Sequence, residues 1–178
     1  VRMTAETFRP HLEANSFKFD CELPETKIPI QGDTDALSQV IVNLLSNAEK
    51  YSAGSAGIPA GETANLTNQL TGRDAGAPGI AREIILRLIQ KQSPLPHAEI
   101  QVLDRGTGVP RGSAEKIFEK FYRAHDSLSN GIQGSGLGLS IARQIARAHG
   151  GEVAYEPREG GGSCFILRLP ISTTDKHG

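Results

Sequence analysis

The sequence lacks the features that would assign it at once to a membrane or nucleic-acid-binding class. Its 178 residues contain no long run of one charge, and the formal net charge is only -1. Nucleic-acid and membrane-surface partners usually select clustered basic residues, and a membrane span needs about 18 consecutive apolar residues, which are not found here. No N-terminal signal pattern is present either. The composition therefore favours a globular domain in the cytoplasm, with no nucleic-acid partner and no direct membrane contact.

Cysteine is equally scarce. The two cysteines, Cys21 and Cys164, lie in the strand-like runs FKFDCEL and CFILRL, and we expect them to be small buried side chains in a reduced protein. No group of Cys and His has the spacing of a metal-binding motif, which argues against a zinc site. With 38% hydrophobic and 22% charged residues, the chain is long enough for one domain with a substantial core.

Hydrophobic periodicity predicts a mixed helix-and-strand domain of the α+β class. Two segments, 52–79 and 124–134, lack periodicity and are rich in small and polar residues, so we expect loops there. Gly150 and Gly151 are expected to end the last helix. The predicted helices cover residues 3–14, 33–52, 113–124 and 137–149, and the predicted strands cover 17–23, 27–33, 82–92, 98–104, 151–157 and 163–171.

The strongest helix, DTDALSQVIVNLLSNAEKYS, carries a polar stripe beside its apolar face. Asn43, Asn47 and Lys50 fall on this stripe, and Tyr51 lies at its edge. Two amides and an ammonium group are costly to bury without partners. A magnesium–phosphate group would satisfy them, with amide oxygen on the metal and ammonium on phosphate. The alternative is an ordinary solvated face.

The segment VLDRGTGVP places a carboxylate at the end of a predicted strand. Asp104 is followed by Gly106 and Gly108, which allow a sharp turn. A buried carboxylate there can accept a hydrogen bond from an exocyclic amine such as that of adenine, and the glycines allow a flat ring to lie against the backbone. The same pattern also occurs in ordinary turns.

Three alternate glycines, Gly134, Gly136 and Gly138, run directly into a predicted helix. The first amides of a helix lack partners and its dipole favours anions, so this stretch suits a polyphosphate. It is neither a Walker A loop nor a dinucleotide fingerprint, since the required residues and spacing are missing. A flexible hinge is the alternative interpretation.

The order of these motifs is more specific than any one of them. NLLSNAEKYS, DRGTG, EKIFEKFYR and GSGLGLSIARQIARAHGG follow one another before a terminal hairpin. This order resembles the ATP-binding catalytic domain of sensor histidine kinases, in the superfamily of the gyrase, Hsp90 and MutL ATPase domains, with an N box, two glycine boxes and an F box. The resemblance implies one domain over 1–178 with the Bergerat fold. That fold is a two-layer α/β sandwich in which helices cover one face of a mixed, mostly antiparallel sheet.

The resemblance also implies ATP and Mg²⁺ as ligands and assigns roles in the N box. Asn47 would be the magnesium ligand, and Asn43, one turn earlier, would support the metal or the phosphates. Lys50 would meet a phosphate, and Tyr51 would line the nucleotide cleft. Asp104 would hold the adenine amino group.

The remaining roles implied by the resemblance concern the glycine boxes and an ATP lid at about 122–135. Phe118 and Phe121 would anchor the lid, and Arg123 is a candidate ligand of the terminal phosphate. The glycine-box residues would shape the adenine pocket, let the lid move and bring amides onto the phosphates; with their neighbours they are Gly106, Gly108, Val109, Gly134, Ser135, Gly136, Leu137, Gly138 and Leu139.

The reaction class follows from two further comparisons with the family. Hydrolysing relatives carry a glutamate where this chain has Asn43, which cannot act as a base, and Glu49 is poorly aimed. No histidine has the flanking pattern of a phosphoacceptor, whether His11, His97, His125, His149 or His177.

The resemblance therefore implies a protein-histidine kinase domain that acts in trans on a separate phosphoacceptor and dimerisation domain, from which a response regulator takes the phosphoryl group. The parent kinase of such a domain can be anchored in the inner membrane. The alternatives are an anti-sigma-type serine kinase and a nucleotide-binding module without kinase activity. Residues 52–79 depart from the family pattern and are interpreted as a flexible insertion, with a docking or regulatory element as the alternative.

Overall fold

A computed structural model describes residues 1–53, 82–123 and 135–172 of the chain. The predicted core of the lid, with Gly134 and His125, lies outside these residues, as do most of the predicted insertion and His177. The elements are α1 (Arg2–Ala14), β1 (Lys18–Glu22), α2 (Thr34–Ala53), β2 (Glu83–Lys91), β3 (His97–Asp104), a 3₁₀ turn (Lys116–Phe118), α3 (Gly138–Ala148), β4 (Glu152–Pro157) and β5 (Ser163–Pro170).

The five strands form one mixed sheet in the order β1-β2-β3-β5-β4. β1 runs parallel to β2, and the other neighbours are antiparallel. One face of the sheet packs against the helices, because alternate strand residues such as Val102 (0% exposed) and Leu167 (0%) join the core with the buried stripe of α2. The predicted two-layer sandwich with a mostly antiparallel sheet is confirmed.

Helix α2 begins where Asp33 caps its first turn. The Asp33 Oδ1 atom accepts the backbone N–H groups of Asp35 and Ala36, each at 2.9 Å, which satisfies amides that have no partner within the helix. These bonds hold the pKa of Asp33 below its ordinary value. The helix then directs its apolar stripe, including Leu44 and Ala48 (both 0% exposed), toward the sheet.

Two predicted elements are wrong. Residues 27–33 form no strand, because Pro29 has no N–H group to donate to a ladder. The predicted helix over 113–124 is reduced to the turn Lys116–Phe118, since Glu119 is extended and Phe121 has a φ of +64°. The predicted loop that begins at residue 52 is also corrected, because α2 continues to Ala53.

The last helix ends as predicted. The N–H groups of Gly150 and Gly151 donate to the carbonyl oxygens of Arg147 (3.0 Å) and Ala146 (2.9 Å), and Gly150 adopts a φ of +71°, which is the usual glycine termination of a helix. His149 links this end to the start of α2, since its Nε2 atom lies 3.1 Å from the backbone nitrogen of Asp33.

Candidate functional site

One cleft lies between α2, the start of α3 and the segment after the 3₁₀ turn. It consists of a cavity of about 340 Å³ and a smaller adjoining cavity of about 40 Å³. The two cavities share five of their lining residues and are therefore next to each other. These shared residues are Asn47, Tyr51, Ile117, Tyr122 and Leu139.

The larger cavity brings together most of the polar residues that the sequence singled out. Asn43, Asn47, Lys50 and Tyr51 line it from α2, and Arg123 lines it from the segment after the 3₁₀ turn. The lining is completed by the start of α3 and the residues before it, Ser135, Gly136, Leu137, Gly138 and Leu139. The N box and the second glycine box therefore face each other across one space.

Asn43 connects these two walls. Its Nδ2 group donates to the carbonyl oxygen of Gly138 at 3.3 Å, and its Oδ1 atom accepts from Gln39 Nε2 at 3.0 Å. Helix α3 begins beside this contact, and no side chain of the described residues caps it. The cavity therefore meets the end of a helix that attracts anions.

Glu49 is directed away from the cleft. Its two carboxylate oxygens contact His11 Nε2 and Asn15 Nδ2, each at 3.0 Å, so α1 occupies both. Among the described residues that line the two cavities there is no Asp or Glu. The described part of the cleft therefore contains no carboxylate base that could activate water.

Asp104 is 1% exposed and lines neither cavity, but it is hydrogen-bonded to Ser163, which lines the smaller cavity. Its Oδ1 atom accepts the backbone N–H groups of Gly106 (2.7 Å) and Ser163 (3.3 Å), whereas its Oδ2 atom is buried and has no partner among the residues that the structure describes. Burial raises the pKa of this carboxyl group above its ordinary value, and the hydrogen bonds from Gly106 and Ser163 oppose that effect. An unpartnered buried acceptor indicates a missing donor.

The loop after Asp104 is fixed by the hairpin between β4 and β5. Gly162 has a φ of +103°, and a Cβ atom there would lie 2.1 Å from the Asp104 carbonyl oxygen. That oxygen also accepts from the guanidinium of Arg158 at 3.2 Å, and the same guanidinium donates to Glu83 at 2.6 Å. The backbone around Asp104 therefore has little freedom to move.

Gly106, Gly108 and Val109 continue this loop. A Cβ atom at Gly106 would lie 2.9 Å from the Tyr51 carbonyl oxygen, so the loop abuts the end of α2. Gly108 has a φ of +72°, and Gly108 and Val109 line the smaller cavity. The Val109 N–H group donates to the Tyr155 hydroxyl at 3.2 Å.

Phe118 and Phe121, the predicted anchors of the lid, do not line either cavity. Phe118 is 6% exposed, and the guanidinium of Arg143 lies 4.5 Å above its ring. The side chain of Phe121 is 72% exposed, but its N–H group donates to the Gly136 carbonyl oxygen at 3.0 Å. This bond joins the two ends of the predicted lid, and it requires Gly136, since a Cβ atom there would lie 2.9 Å from the Phe121 backbone.

Sequence reasoning missed several lining residues. Tyr122 lines both cavities, and its hydroxyl lies 3.0 Å from Ser113 Oγ; it stands directly before Arg123 in FYR, which was the available signal. Ser163 and Phe165 line the smaller cavity from β5. Their alternate positions on a strand were visible, but the strand's place beside β3 was not.

The described residues contain neither a cluster of metal ligands nor a helix that could span a membrane. Within the described ranges 1–53, 82–123 and 135–172, no three Cys, His, Asp or Glu side chains cluster as metal ligands. No helix in the same ranges combines the length and the apolar character required to cross a bilayer.

Curated proteins that resemble this chain are sensor kinases. It is 29% identical over 153 residues to the sensor histidine kinase WalK of Bacillus subtilis (strain 168). This alignment covers 86% of this chain and 21% of WalK. It is 31% identical over 159 residues to the adaptive-response sensory kinase SasA of Gloeothece citriformis (strain PCC 7424), covering 89% of this chain and 33% of SasA. The chain therefore spans a third or less of the length of these two relatives.

Solved structures share the fold. A mycobacterial sensor histidine kinase, MprB, superposes with a TM-score of 0.66 at 24% identity, covering 96% of this chain and 93% of the other. Full-length ShkA in complex with AMPPNP superposes with a TM-score of 0.67 at 22% identity, covering 97% of this chain and 29% of ShkA. The family model of the histidine kinase-, DNA gyrase B- and HSP90-like ATPases matches residues 32–173. The chain belongs to this family of ATP-binding domains.

Proposed function

We propose that the chain is the catalytic domain of a sensor histidine kinase, which binds Mg-ATP and transfers its γ-phosphoryl group to a histidine on a separate domain. One observation carries this proposal. Asp104 Oδ2 is a buried acceptor without a partner among the described residues, and Asp104 is bonded to Ser163 at the wall of the smaller cavity; the adjoining larger cavity is lined by amides and cations and meets the start of α3. A nucleoside triphosphate with an exocyclic amine on its base matches both ends.

At the base end, Asp104 Oδ2 would accept a hydrogen bond from the adenine amino group. The carboxylate is held by two backbone N–H groups, so it is oriented before the nucleotide arrives. Gly108 and Val109 would contact the flat ring, since both line the smaller cavity. Pre-organisation of this kind reduces the entropy lost on binding.

At the phosphate end, Asn47, Lys50 and Arg123 would surround the triphosphate, together with the first amides of α3. When bound, Mg²⁺ would neutralise negative charge on the phosphate oxygens. The phosphates would then repel the incoming nucleophile less. Asn47 is our candidate magnesium ligand, because it supplies an amide oxygen of the type that Mg²⁺ accepts. Lys50 and Arg123 would add positive charge where the leaving group develops negative charge.

Transfer to a protein is favoured over hydrolysis. In the transfer, a bond forms between the γ-phosphorus and a histidine nitrogen while the bond to the β,γ-bridging oxygen breaks, which gives phosphohistidine and ADP. The described lining holds no carboxylate that could activate a competing water, and Glu49 is occupied by α1. The domain would therefore contribute positioning and electrostatic stabilisation.

The partners follow from this role. The phosphoacceptor histidine and the dimerisation helices would belong to a separate domain, and a response regulator would accept the phosphoryl group from that histidine. The names of the curated relatives, sensor histidine kinase and sensory kinase, support this assignment.

The test is phosphotransfer from ATP labelled at the γ-phosphate to a histidine phosphoacceptor domain supplied with this chain. We expect a phosphoprotein that is acid-labile and base-stable, and no label with the Asn47→Ala variant. Ser38→Ala, on the same helix but hydrogen-bonded to Thr4, is the matched control and should leave the yield unchanged.

Three other results would contradict the proposal. An acid-stable phosphoprotein would indicate a serine kinase of the anti-sigma type. Bound ATP without any transfer would indicate a nucleotide-binding module. Rapid release of inorganic phosphate that persists in the Asn43→Ala variant would indicate an ATPase instead.

A further inference from the structure

His149, which directly follows α3, has hydrogen-bond partners at both of its ring nitrogens. The Nδ1 atom lies 2.8 Å from the carbonyl oxygen of Ile145, in the last turn of α3. The Nε2 atom lies 3.1 Å from the backbone nitrogen of Asp33, which directly precedes α2. The side chain therefore bridges the end of one helix and the start of another.

The two partners determine where the ring carries its proton. A carbonyl oxygen only accepts a hydrogen bond, so Nδ1 must carry the proton, and a backbone N–H group only donates, so Nε2 must accept. The imidazole is therefore neutral and in a single tautomer. No rotation of the ring is needed to satisfy both helices, because each nitrogen already faces the partner that it requires.

Gly32 leaves the space that the ring occupies. A Cβ atom on Gly32 would lie 2.7 Å from His149 Cδ2 and 2.9 Å from Leu37 Cδ1. The half-buried ring is thus packed against the backbone that leads into α2. Even the methyl group of an alanine at this position would displace the ring.

A second hydrogen bond joins the same two helices further along α2. The Asn43 amide donates to the carbonyl oxygen of Gly138, the first residue of α3, at 3.3 Å. The helices pack against each other and run in opposite directions, since the start of α2 meets the end of α3 and the middle of α2 meets its start. Hydrogen bonds to α2 therefore hold α3 at both of its ends.

The buried surface of α3 offers little resistance to sliding along α2. Its buried residues, Ser140, Ala142 and Ala146, are all small, and small side chains form shallow ridges against a neighbouring helix. The larger Leu139 and Ile145 are only partly buried. We therefore attribute much of the axial position of α3 to the hydrogen bonds at its two ends.

Resting on the proposed ATP site, we propose that His149 is a positioning residue for phosphoryl transfer. It lines neither cavity and acts through α3. It holds this helix along α2 and thereby sets the distance from the start of α3 to Asn47 and Lys50, across the larger cavity. His149 stands 11 residues after Gly138, which is about 16 Å at about 1.5 Å per residue. A shift at one end of the helix moves the other end by the same amount.

The experiment compares two variants that retain different halves of the bridge. In His149→Gln, the side-chain oxygen takes the place of Nε2 and can accept from Asp33, so the link between the helices is kept. In His149→Asn, the amide nitrogen takes the place of Nδ1 and can donate to Ile145, but the shorter side chain does not extend to Asp33. Calorimetric titration gives the affinities for ATP and for adenosine, which has no phosphates. Transfer to a histidine phosphoacceptor domain at saturating ATP gives the rate.

We expect His149→Asn to bind ATP about 5-fold more weakly than the wild type, the effect of one hydrogen bond. It should transfer the phosphoryl group about 10-fold more slowly, because transfer is sensitive to small displacements of the reacting groups. His149→Gln should remain within about 2-fold of the wild type in both measurements. Adenosine should bind equally to all three proteins, since the base end does not depend on the position of α3.

Gly32→Ala tests the same link from the side of α2 without changing the histidine, and it replaces His149→Asn if that variant fails to fold. We expect a similar loss of ATP affinity. The double variant Gly32→Ala/His149→Asn should be no weaker than the weaker single variant by more than about 2-fold, because both changes break one contact. The matched control is His97→Asn. The Nδ1 atom of His97 also contacts a backbone carbonyl oxygen, that of Leu95 at 2.8 Å, but His97 lies in β3, so this variant should behave as the wild type does.

Three results would overturn the role of His149. They are wild-type behaviour of His149→Asn, an equal loss in the Gln and Asn variants, and an equal weakening of ATP and adenosine, which would indicate a general loss of structure. If the wild type itself does not bind ATP, the proposed ATP site is wrong. If it binds ATP and any of the three results is found, only the role of His149 is wrong.

Discussion

The two ends of the cleft are built in different ways. At the end proposed for the base, the backbone around Asp104 is held by Gly162, Arg158 and Ser163. The Asp104 residue itself is 1% exposed. At the phosphate end, the groups are side chains of α2 and the open start of α3 around a cavity of about 340 Å³. The base end is therefore ordered before a ligand arrives, whereas the phosphate end offers charges and amides that a ligand can organise.

The largest expected difference between the two ends is in the stability that is lost when a glycine is replaced by alanine. In Gly162→Ala, the new Cβ atom would lie 2.1 Å from the Asp104 carbonyl oxygen at a φ of +103°. We expect a loss of about 3 kcal/mol or more in the free energy of unfolding, measured by chemical denaturation.

Gly138→Ala is the matched variant at the phosphate end. Apart from its chain neighbours and its own helix, no heavy atom of the described residues lies within 4 Å of the position of its Cβ atom, and alanine favours a helix more than glycine by up to about 1 kcal/mol. We expect unchanged or slightly increased stability. If both variants lose the same stability, the contrast between a packed and an open end is wrong.

The second prediction compares ATP with adenosine, which has no phosphates, so that the two ends can be tested separately. Asp104→Ala removes the proposed acceptor of the adenine amino group, and we expect both ATP and adenosine to bind about 10- to 150-fold more weakly, the range for a hydrogen bond to a charged group. Asn47→Ala should weaken Mg-ATP by a similar factor but leave adenosine within about 2-fold of the wild type. Calorimetric titration with each ligand measures both. A parallel loss of adenosine binding in Asn47→Ala would show that the two ends are not independent.

The sequence predicted which residues belong to the candidate site better than which contacts hold them in place. The Asn43 and Asn47 stripe could be predicted because helical spacing is local, and Asp104 because it ends a strand before glycines. The roles of Gly162 and Ser163 depend on β5 lying beside β3, a contact between residues about 60 positions apart. No local pattern contains that contact, and it is the contact that makes the base end rigid.

The third prediction uses pH. Burial raises the pKa of Asp104, and only the ionised carboxylate offers its full acceptor capacity to the amino group. Affinity for ATP should therefore fall as the pH is lowered through this raised pKa, at a pH above the ordinary range of an aspartate. The stability of the free protein should respond in the opposite direction. The contribution of this group to folding is present below the unfolded pKa and is lost as the pH rises through the folded pKa.

Asp104→Asn removes the titration and is the control for both measurements. Its ATP affinity, although lower, should lack this step in pH, and the difference in unfolding free energy between wild type and variant should change across the same interval. An identical pH profile of ATP affinity in the two proteins would assign the step to another group.

The smallest expected effect concerns Arg143, which joins α3 to Glu115 and Phe118 in the segment before the predicted lid. Its guanidinium contacts Glu115 at 2.9 Å and Glu152 at 2.5 Å and covers the ring of Phe118. We expect Arg143→Ala to lower the free energy of unfolding by about 1–2 kcal/mol, since charged hydrogen bonds and the stacking contact are lost together. ATP should bind about 2- to 5-fold more weakly because the phosphate-end segments lose a common support, and adenosine should bind as before.

Arg147→Ala is the matched control for this effect, because Arg147 contacts the same Glu152 at 2.8 Å but its side chain is 59% exposed and no contact with the 3₁₀ turn is found for it in the described residues. An exposed ion pair contributes about 0–1 kcal/mol, so we expect a smaller loss of stability and no change in nucleotide binding. Equal effects of the two variants on ATP would mean that Arg143 acts on the phosphate end only through the charge of α3. A selective effect of Arg143→Ala would mean that the phosphate end, although open, depends on the packing of Phe118 behind it.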